Sequence, residues 1–533
     1  MWALALLALG GCGGVGSPEA DLPTGKPPAA GIAAVHGDAP RVAYRGPREL
    51  SGPVTLRAAP RATTAGSRDS RIVAVTFLLD GQPLGTDTTA PYELDVNAGF
   101  LAPGSHQVRV GAVDRSGRRS STGPVPVQVG GSPGPVVSVS GQAGLEQALP
   151  ALARGDVTVR LRPGRYRVSE ARLGSGARLV GSGRDTVLEP PKDAAYQALL
   201  VPDGRRIRVS NLALDGGGAG GGEGRAVEVQ TGSADVRLNR LRIRRARQFG
   251  VYVRGVHSEV SVQDSTIKGR GRADAGVFFI DPQDAGEYRD PSVIRTRIRG
   301  FRQYGILFAH HEHHDPDAAL RALALDNRVS RIRNPARDDC VRDPLGARGC
   351  GTDEGGIWSG GVRARIIGNR VRRARWDGIQ TVGSSDHVAI ARNNVRKTRT
   401  GVYLEHSTND SLVKANKIAR VRTGINVEWT HDGAGSQRNT LARNRIVTAS
   451  GAGVFVDVGD DGHRILDNLF VGGARPAIVL QGSSGNVVRG NRTCKRDGTV
   501  VREQAGRWDD GRLAHPRANQ ITDNGHAGSC RSR

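Results

Sequence analysis

Between residues 204 and 493, short alternations of apolar and polar positions keep meeting one phrase: an apolar run, an asparagine, one polar residue and another apolar residue. Val209-Ser210-Asn211-Leu212, Ile367-Gly368-Asn369-Arg370-Val371, Lys414-Ala415-Asn416-Lys417-Ile418 and Leu466-Asp467-Asn468-Leu469-Phe470 are instances. The asparagine position falls at Asn211, Asn239, Ser265, Thr296, Asn327, Asn369, Asn393, Asn416, Asn444, Asn468 and Asn491, mostly in steps of 23 to 31 residues. The step from Asn327 to Asn369 carries an insertion. Short strands repeated at such a length predict a solenoid. Stacked coils bring like side chains into register, where asparagines bond along the stack.

A second phrase, Gly-apolar-x-apolar-x, begins at Gly250, Gly276, Gly305, Gly356, Gly378, Gly401, Gly424 and Gly453, and at Ala477 without the glycine. Period two marks strands with one buried face. Each coil therefore holds at least two strands, and the first residue after each glycine points inward. The fold class is all-β.

Outward residues at equal positions in successive coils form columns about 4.8 Å apart. One column reads Arg254, Ile280, Ala309, Gly360, Val382, Glu405, Glu428, Asp457, Gln481. Its neighbour reads Tyr252, Phe278, Leu307, Trp358, Gln380, Tyr403, Asn426, Phe455, Val479, with His406, Trp429 and His431 just past the strands. Aligned carboxylates repel unless something compensates. Three readings stand: a hard cation such as Ca²⁺ held by Glu405, Glu428 and Asp457; an acid and base pair for glycoside cleavage; or solvated surface acids. The aromatics favour a site, because flat apolar side chains suit sugar rings.

Two further signals flank these columns. His310-His311-Glu312-His313-His314-Asp315 is either a transition-metal loop or a solvated one, with His310 nearest the strand end. Asp377, before Gly378, is either a site residue or part of a turn. On another face, Arg240, Arg297, Arg328, Arg370, Lys417, Arg445 and Arg492 follow the asparagine position. That stripe either tracks a polyanion, such as an acidic polysaccharide or teichoic acid, or is ordinary polar surface.

The chain has 533 residues, 74 of them glycine, and a net charge of +24. Its length predicts more than one domain. Of 76 basic residues only 7 are Lys, a bias that GC-rich codon usage produces as readily as binding does. A cationic surface nonetheless favours anionic partners. Trp2 to Leu9 is apolar but too short to span a bilayer, and it reads as an export signal. It ends in Leu9-Gly10-Gly11-Cys12, which resembles a bacterial lipobox; the resemblance implies lipidation at Cys12 and a membrane anchor. No Lys or Arg precedes the run, which departs from the pattern and suggests an earlier start. The remaining cysteines, Cys340, Cys350, Cys494 and Cys530, are even in number, as disulfides require in an exported chain. Neighbour pairing gives Cys340–Cys350 and Cys494–Cys530.

The chain divides into a signal (1–12), a Gly/Pro/Ala-rich tether (13–45), a β-sandwich (46–130), a solenoid (136–495) and a C-terminal tail (496–533). In the sandwich, Val75-Thr76-Phe77-Leu78-Leu79-Asp80-Gly81, Ala90-Pro91-Tyr92-Glu93, Gly104-Ser105-His106 and Ala112-Val113-Asp114-Arg115-Ser116-Gly117 resemble the bacterial Ig-like family, whose members serve as spacers or adhesion modules. After the linker at 130–135, a helical pattern over Leu145–Ala153 precedes Gly155-Asp156-Val157-Thr158-Val159-Arg160-Leu161-Arg162-Pro163-Gly164-Arg165-Tyr166. This opening resembles the right-handed parallel β-helix family of the pectate-lyase type, in which a helix caps the first coil. The resemblance covers some two thirds of the chain and supplies the handedness.

That resemblance implies a polysaccharide-active enzyme, and the net charge favours an acidic glycan. Lyase or epimerase chemistry uses a cation and a base, and His406, His431 and Tyr403 are the available bases. No Lys stands beside the acids, a departure from the usual lyase pattern that leaves hydrolysis open through Glu405 and Glu428. Trp358, Asp377, Gln380, Asn426, Trp429 and His310 are the candidate substrate contacts. The alternative is a non-catalytic surface protein that binds glycan or cell wall. A monomer is expected, and no nucleic-acid motif is present.

Overall fold

The structure is a computed structural model. It describes residues 40–527 apart from 52, 62–70, 99–100, 102–103, 131–135, 156, 193–194, 218–223, 256–257, 272, 281–288, 310–320, 334–354, 384, 406, 429–434, 448–449, 473–475, 495–498 and 509–510. Cys12, His310, Cys340, Cys350, His406, Trp429, His431 and Cys530 lie outside the described residues. Cys494 is disulfide-bonded. Among the described residues no helix is long and apolar enough to cross a membrane.

The chain is a right-handed parallel β-helix of about 12 turns, preceded by an Ig-like sandwich. Each coil presents three faces. The ladder face is a 15-stranded parallel sheet whose strands, such as Arg365–Ile367 and Ala389–Ala391, end just before the asparagine position. The arginine face follows it, as in Arg370–Ala374, and the glycine face comes next, as in Asp377–Val382. In Asn394–Glu405 and Lys417–Glu428 one bent strand of 12 residues serves both of these faces. Inward Val, Ile and Leu from all three faces form one continuous core. The helix, Gly141–Arg154, closes the first coil with Leu145, Ala148 and Leu152 on its buried stripe.

Both repeated phrases have a steric or polar cause. The Oδ1 of Asn393 accepts from the Asn369 backbone N–H (2.8 Å) and from Asn369 Nδ2 (3.0 Å), which also donates to the Ala324 carbonyl of the coil before (2.9 Å). Asn393, Asn416, Asn444 and Asn468 repeat the arrangement. On the glycine face, a Cβ on Gly378 would overlap Val395 Cγ1 and come within 2.6 Å of the Gly401 carbonyl oxygen. Gly401 faces the same obstruction from Ile418 and Gly424, so these two positions admit only glycine.

Four expectations change. The ladder does not include Asn211 and Asn239: Leu241 N–H donates to Ser265 Oγ (3.0 Å), so Leu212 and Leu241 hold that position in the early coils. Asn211 instead takes the left-handed corner (φ 57°) and donates to the Gly181 carbonyl (3.1 Å), while Asn239 Nδ2 reaches the Leu84 carbonyl of the sandwich (3.3 Å). The arginine column accordingly contains Arg242, not Arg240. Residues 501–526 are no separate tail: Val501–Gln504 pairs with Ile478–Gln481, Gln520–Thr522 pairs with Val487–Arg489, and Asn524 Oδ1 extends the ladder. At the other end, Arg41–Tyr44 belongs to the sandwich, paired with Pro53–Arg61, and not to the tether.

The sandwich is also more than a spacer. Its Val73, Ala74 and Val113 form one apolar cluster with Ile294, Leu323, Leu325, Ile367 and Ala391, which point outward from the ladder face. Gln263 exchanges two hydrogen bonds with the Thr86 backbone (3.0 and 2.9 Å), and Arg119 forks onto Asp326 (2.5 Å twice). Arg392 Nε donates to the Ser116 carbonyl (2.8 Å). The sandwich thus covers the ladder face and leaves the other two faces clear of these contacts.

Candidate active site

The glycine face brings the predicted columns together in the predicted order. Register runs Tyr252, Phe278, Leu307, Trp358, Gln380, Tyr403, Asn426, Phe455, Val479 without a slip. Glu405 and Glu428 are direct partners on neighbouring strands. Asp457 follows, joined to the next coil by Gln481 Nε2 (3.0 Å).

Each acid is met by an amide. Gln380 Nε2 donates to Glu405 Oε2 (2.7 Å), and Asn426 Nδ2 donates to Glu428 Oε2 (2.5 Å). These donors supply the compensation that aligned acids require. Among the described residues no three His, Cys, Asp or Glu side chains are grouped to hold a metal ion.

Tyr403 stands between the two amides in its column. Burial first, then the carboxylates of Glu405, Glu428 and Asp377, push its hydroxyl well above the ordinary value. The phenol stays protonated at neutral pH and suits a donor better than a base. Asp377 is buried, one column over, in register with Gly355 and Thr400. Nearby Asp460 is fully buried; burial drives its carboxyl well above the carboxylate range, although Ser436 N–H donates to its Oδ1 (2.5 Å).

Trp358 and Gln380 are register neighbours, and each keeps one unmet polar atom. Trp358 Nε1, a donor, and Gln380 Oε1, an acceptor, are both buried and have no hydrogen-bond partner among the described residues. Upstream, Phe249, Tyr252 and Phe278 cluster with centroids 4.8–5.8 Å apart, and Tyr304 lies 6.1 Å from Trp358. Phe249 and Tyr304 were not anticipated. Both immediately precede a column glycine, as Asp377 does, and that third column was the available signal. Along the solenoid axis the aromatic cluster thus comes first and the acids with their amides follow, with Tyr403 and Phe455 among them.

A family model described as Periplasmic copper-binding protein (NosD) matches residues 362–531, and one described as Bacterial Ig domain matches residues 50–110. No curated protein matches the chain. Among solved structures, the chain is similar to the mannuronan C-5 epimerase AlgE6 A-module of Azotobacter vinelandii, at 15% identity and TM-score 0.36 over 72% of this chain and 93% of that one. It is similar to a family 28 exopolygalacturonase of Yersinia enterocolitica, at 11% identity and TM-score 0.41 over 92% and 99%. A PL6 family polysaccharide lyase of Pseudopedobacter saltans matches at 12% identity and TM-score 0.39 over 73% and 92%.

Proposed function

We propose that the glycine face is the active site of an exported polysaccharide-active enzyme, with Glu405 and Glu428 as the reacting carboxylates. The observation that carries this reading is the register pairing of Glu405 with Glu428, each carboxylate held by an amide, Gln380 or Asn426. Upstream, the partly exposed rings of Phe278 and Tyr304 offer flat faces for further sugars, while Phe249 and Tyr252 are buried beneath them.

The acids favour hydrolysis over elimination. A lyase must neutralise the uronate carboxylate, and the described columns beside Glu405 and Glu428 present acids and amides, not cations. Neighbouring strands lie about 4.8 Å apart, compatible with the separation of about 5–5.5 Å at which one carboxyl is nucleophile and the other acid and base. Tyr403 would donate a hydrogen bond to substrate from its protonated hydroxyl. Export rests on the N-terminal run and agrees with the periplasmic description of the matching family. Copper binding, also in that description, finds no grouped ligands among the described residues. A divalent cation enters as a variable of the assay and not as a step.

The test is turnover on a panel of neutral and acidic polysaccharides, with Ca²⁺ and with chelator, reading reducing ends and unsaturated products in parallel. Reducing ends without unsaturation are expected. Glu405→Gln and Glu428→Gln should each lower turnover by roughly 10²–10⁴-fold with glycan affinity retained. Unsaturated product lost on chelation would replace hydrolysis by elimination. Binding without turnover, unchanged in both variants, would make the protein a glycan-binding module.

A further inference from the structure

The arginine face carries a second, chemically different surface. Its strands lie in segments 242–247, 297–302, 328–333, 370–375, 394–399 and 417–422, and none of these holds an Asp or Glu. Register stacks Arg297, Arg328 and Arg370 in one outward column. Arg299 and, beyond Ser330, Arg372 and Arg396 form the column beside it. All six side chains belong to exposed residues.

Cations in line at strand spacing, about 4.8 Å, repel one another. At the first coil the repulsion is relieved, because Asp215 pairs with Arg244 and Arg245. Farther along, Arg297, Arg299, Arg328, Arg370 and Arg372 have no acidic partner among the described residues. Lys397 shows the crowding: desolvation first, then Arg373, Arg420 and Arg372, hold its ammonium below the ordinary value. A folded chain that keeps such a field uncompensated is set up to take a polyanion.

We propose that the arginine face is a binding track for an acidic polysaccharide, one carboxylate-bearing chain lying along the solenoid axis across the two columns. The guanidinium fork matches a carboxylate in two parallel bonds, and a regular row of cations matches a polymer with regularly spaced charge. Single-stranded nucleic acid calls for aromatic platforms on which bases stack; the only aromatic residue in the six segments is Phe301, which is buried. This track goes beyond the catalytic reading and stands without it, since the two faces share no side chain in these columns.

The experiment is binding of the full chain to polygalacturonate across a salt series, with neutral dextran, polyphosphate and single-stranded DNA as parallel probes. Affinity for polygalacturonate should fall steeply with salt, and dextran should show no such term. Combining Arg297→Gln, Arg328→Gln and Arg370→Gln should weaken polygalacturonate binding roughly tenfold or more and flatten the salt slope. Arg299→Gln, Arg372→Gln and Arg396→Gln, in the second column, form an independent set should the first fail to fold. Undiminished binding in a folded triple variant overturns the proposal. So does tighter binding of DNA or polyphosphate than of polygalacturonate at equal charge. Loss of turnover in Glu405→Gln with this binding intact would leave the track standing, so the two readings fail separately.

Discussion

His463 occupies a place in a second, shorter ladder where the coils on either side carry Asn439 and Asn486. Its Nδ1 accepts the Asn439 backbone N–H (3.1 Å), and its own backbone N–H donates to Asn486 Oδ1 (2.8 Å). The ring is fully buried, and Nε2 has no partner among the described residues. Burial lowers its pKa from 6.5 to about 3. The sign follows from linkage: the unfolded chain takes up the proton first. The contribution is therefore present above about pH 6.5 and is lost as pH falls toward 3. The loss at the acid end is on the order of a few kcal/mol. Asp460 acts oppositely, because a raised carboxyl adds stability at low pH and loses it as pH rises. His463→Asn restores the residue type of the neighbouring coils and removes the titration. Thermal melts from pH 7 to 3 should show a shallower decline in the variant than in the parent. An unchanged decline would assign acid sensitivity to other groups.

At the scale of the element, the stack depends on groups that a single substitution strands. Asn416→Ala removes the acceptor of Asn393's backbone N–H (2.9 Å) and of its Nδ2 (3.0 Å), and leaves the Ile390 carbonyl without its donor. Buried polar groups left unmet cost about 1–3 kcal/mol each, so denaturant melts should show a loss of about 3–5 kcal/mol after partial relaxation. A loss under about 1 kcal/mol would mean that the ladder is ornament to the apolar core. Much of this element order was legible in the sequence, because a stacked coil repeats its constraints. Glycine recurs where a Cβ would strike the next coil, and asparagine recurs where a corner amide must bridge two coils. Reading failed where the constraint relaxed. Leu212 and Leu241 fill the ladder position without polar chemistry, and the nearby Asn211 and Asn239 mimic the ladder phrase one and two residues away. Val501-Arg502-Glu503-Gln504 adds a strand without the glycine phrase, and the last coil looked like a tail. Of the candidate site, the columns were readable from period two alone. The amides that hold the acids, Gln380 and Asn426, were in those columns, but their pairing depends on rotamers that no pattern encodes.

For the whole molecule, the docked sandwich turns two modules into one cooperative body. A solenoid is held chiefly by nearest-neighbour contacts between coils. The sandwich adds contacts that span them, from Asn239 through Gln263, Arg295 and Asp326 to Arg392. It sits on the ladder face, opposite in chemistry to the two faces proposed to take ligands, so on that proposal bracing and binding do not compete for surface. The sequence carried a trace of this arrangement. Leu323-Ala324-Leu325 is apolar on both sides of the strand, where a solvated strand would alternate, and Leu325 is 1% exposed because the sandwich covers it. Leu325→Arg places a charge in that apolar seam without touching the solenoid core, since Ala324 is the inward residue. Burying an unpaired guanidinium is costly enough to undock the sandwich. Calorimetry should resolve two transitions in the variant where the parent shows one, with the sandwich melting separately. Limited proteolysis at the junction near residue 130 should quicken at the same time. If the variant still melts in a single step, the domains are coupled through the polar bridges at Arg119 and Arg392, and the apolar seam is dispensable.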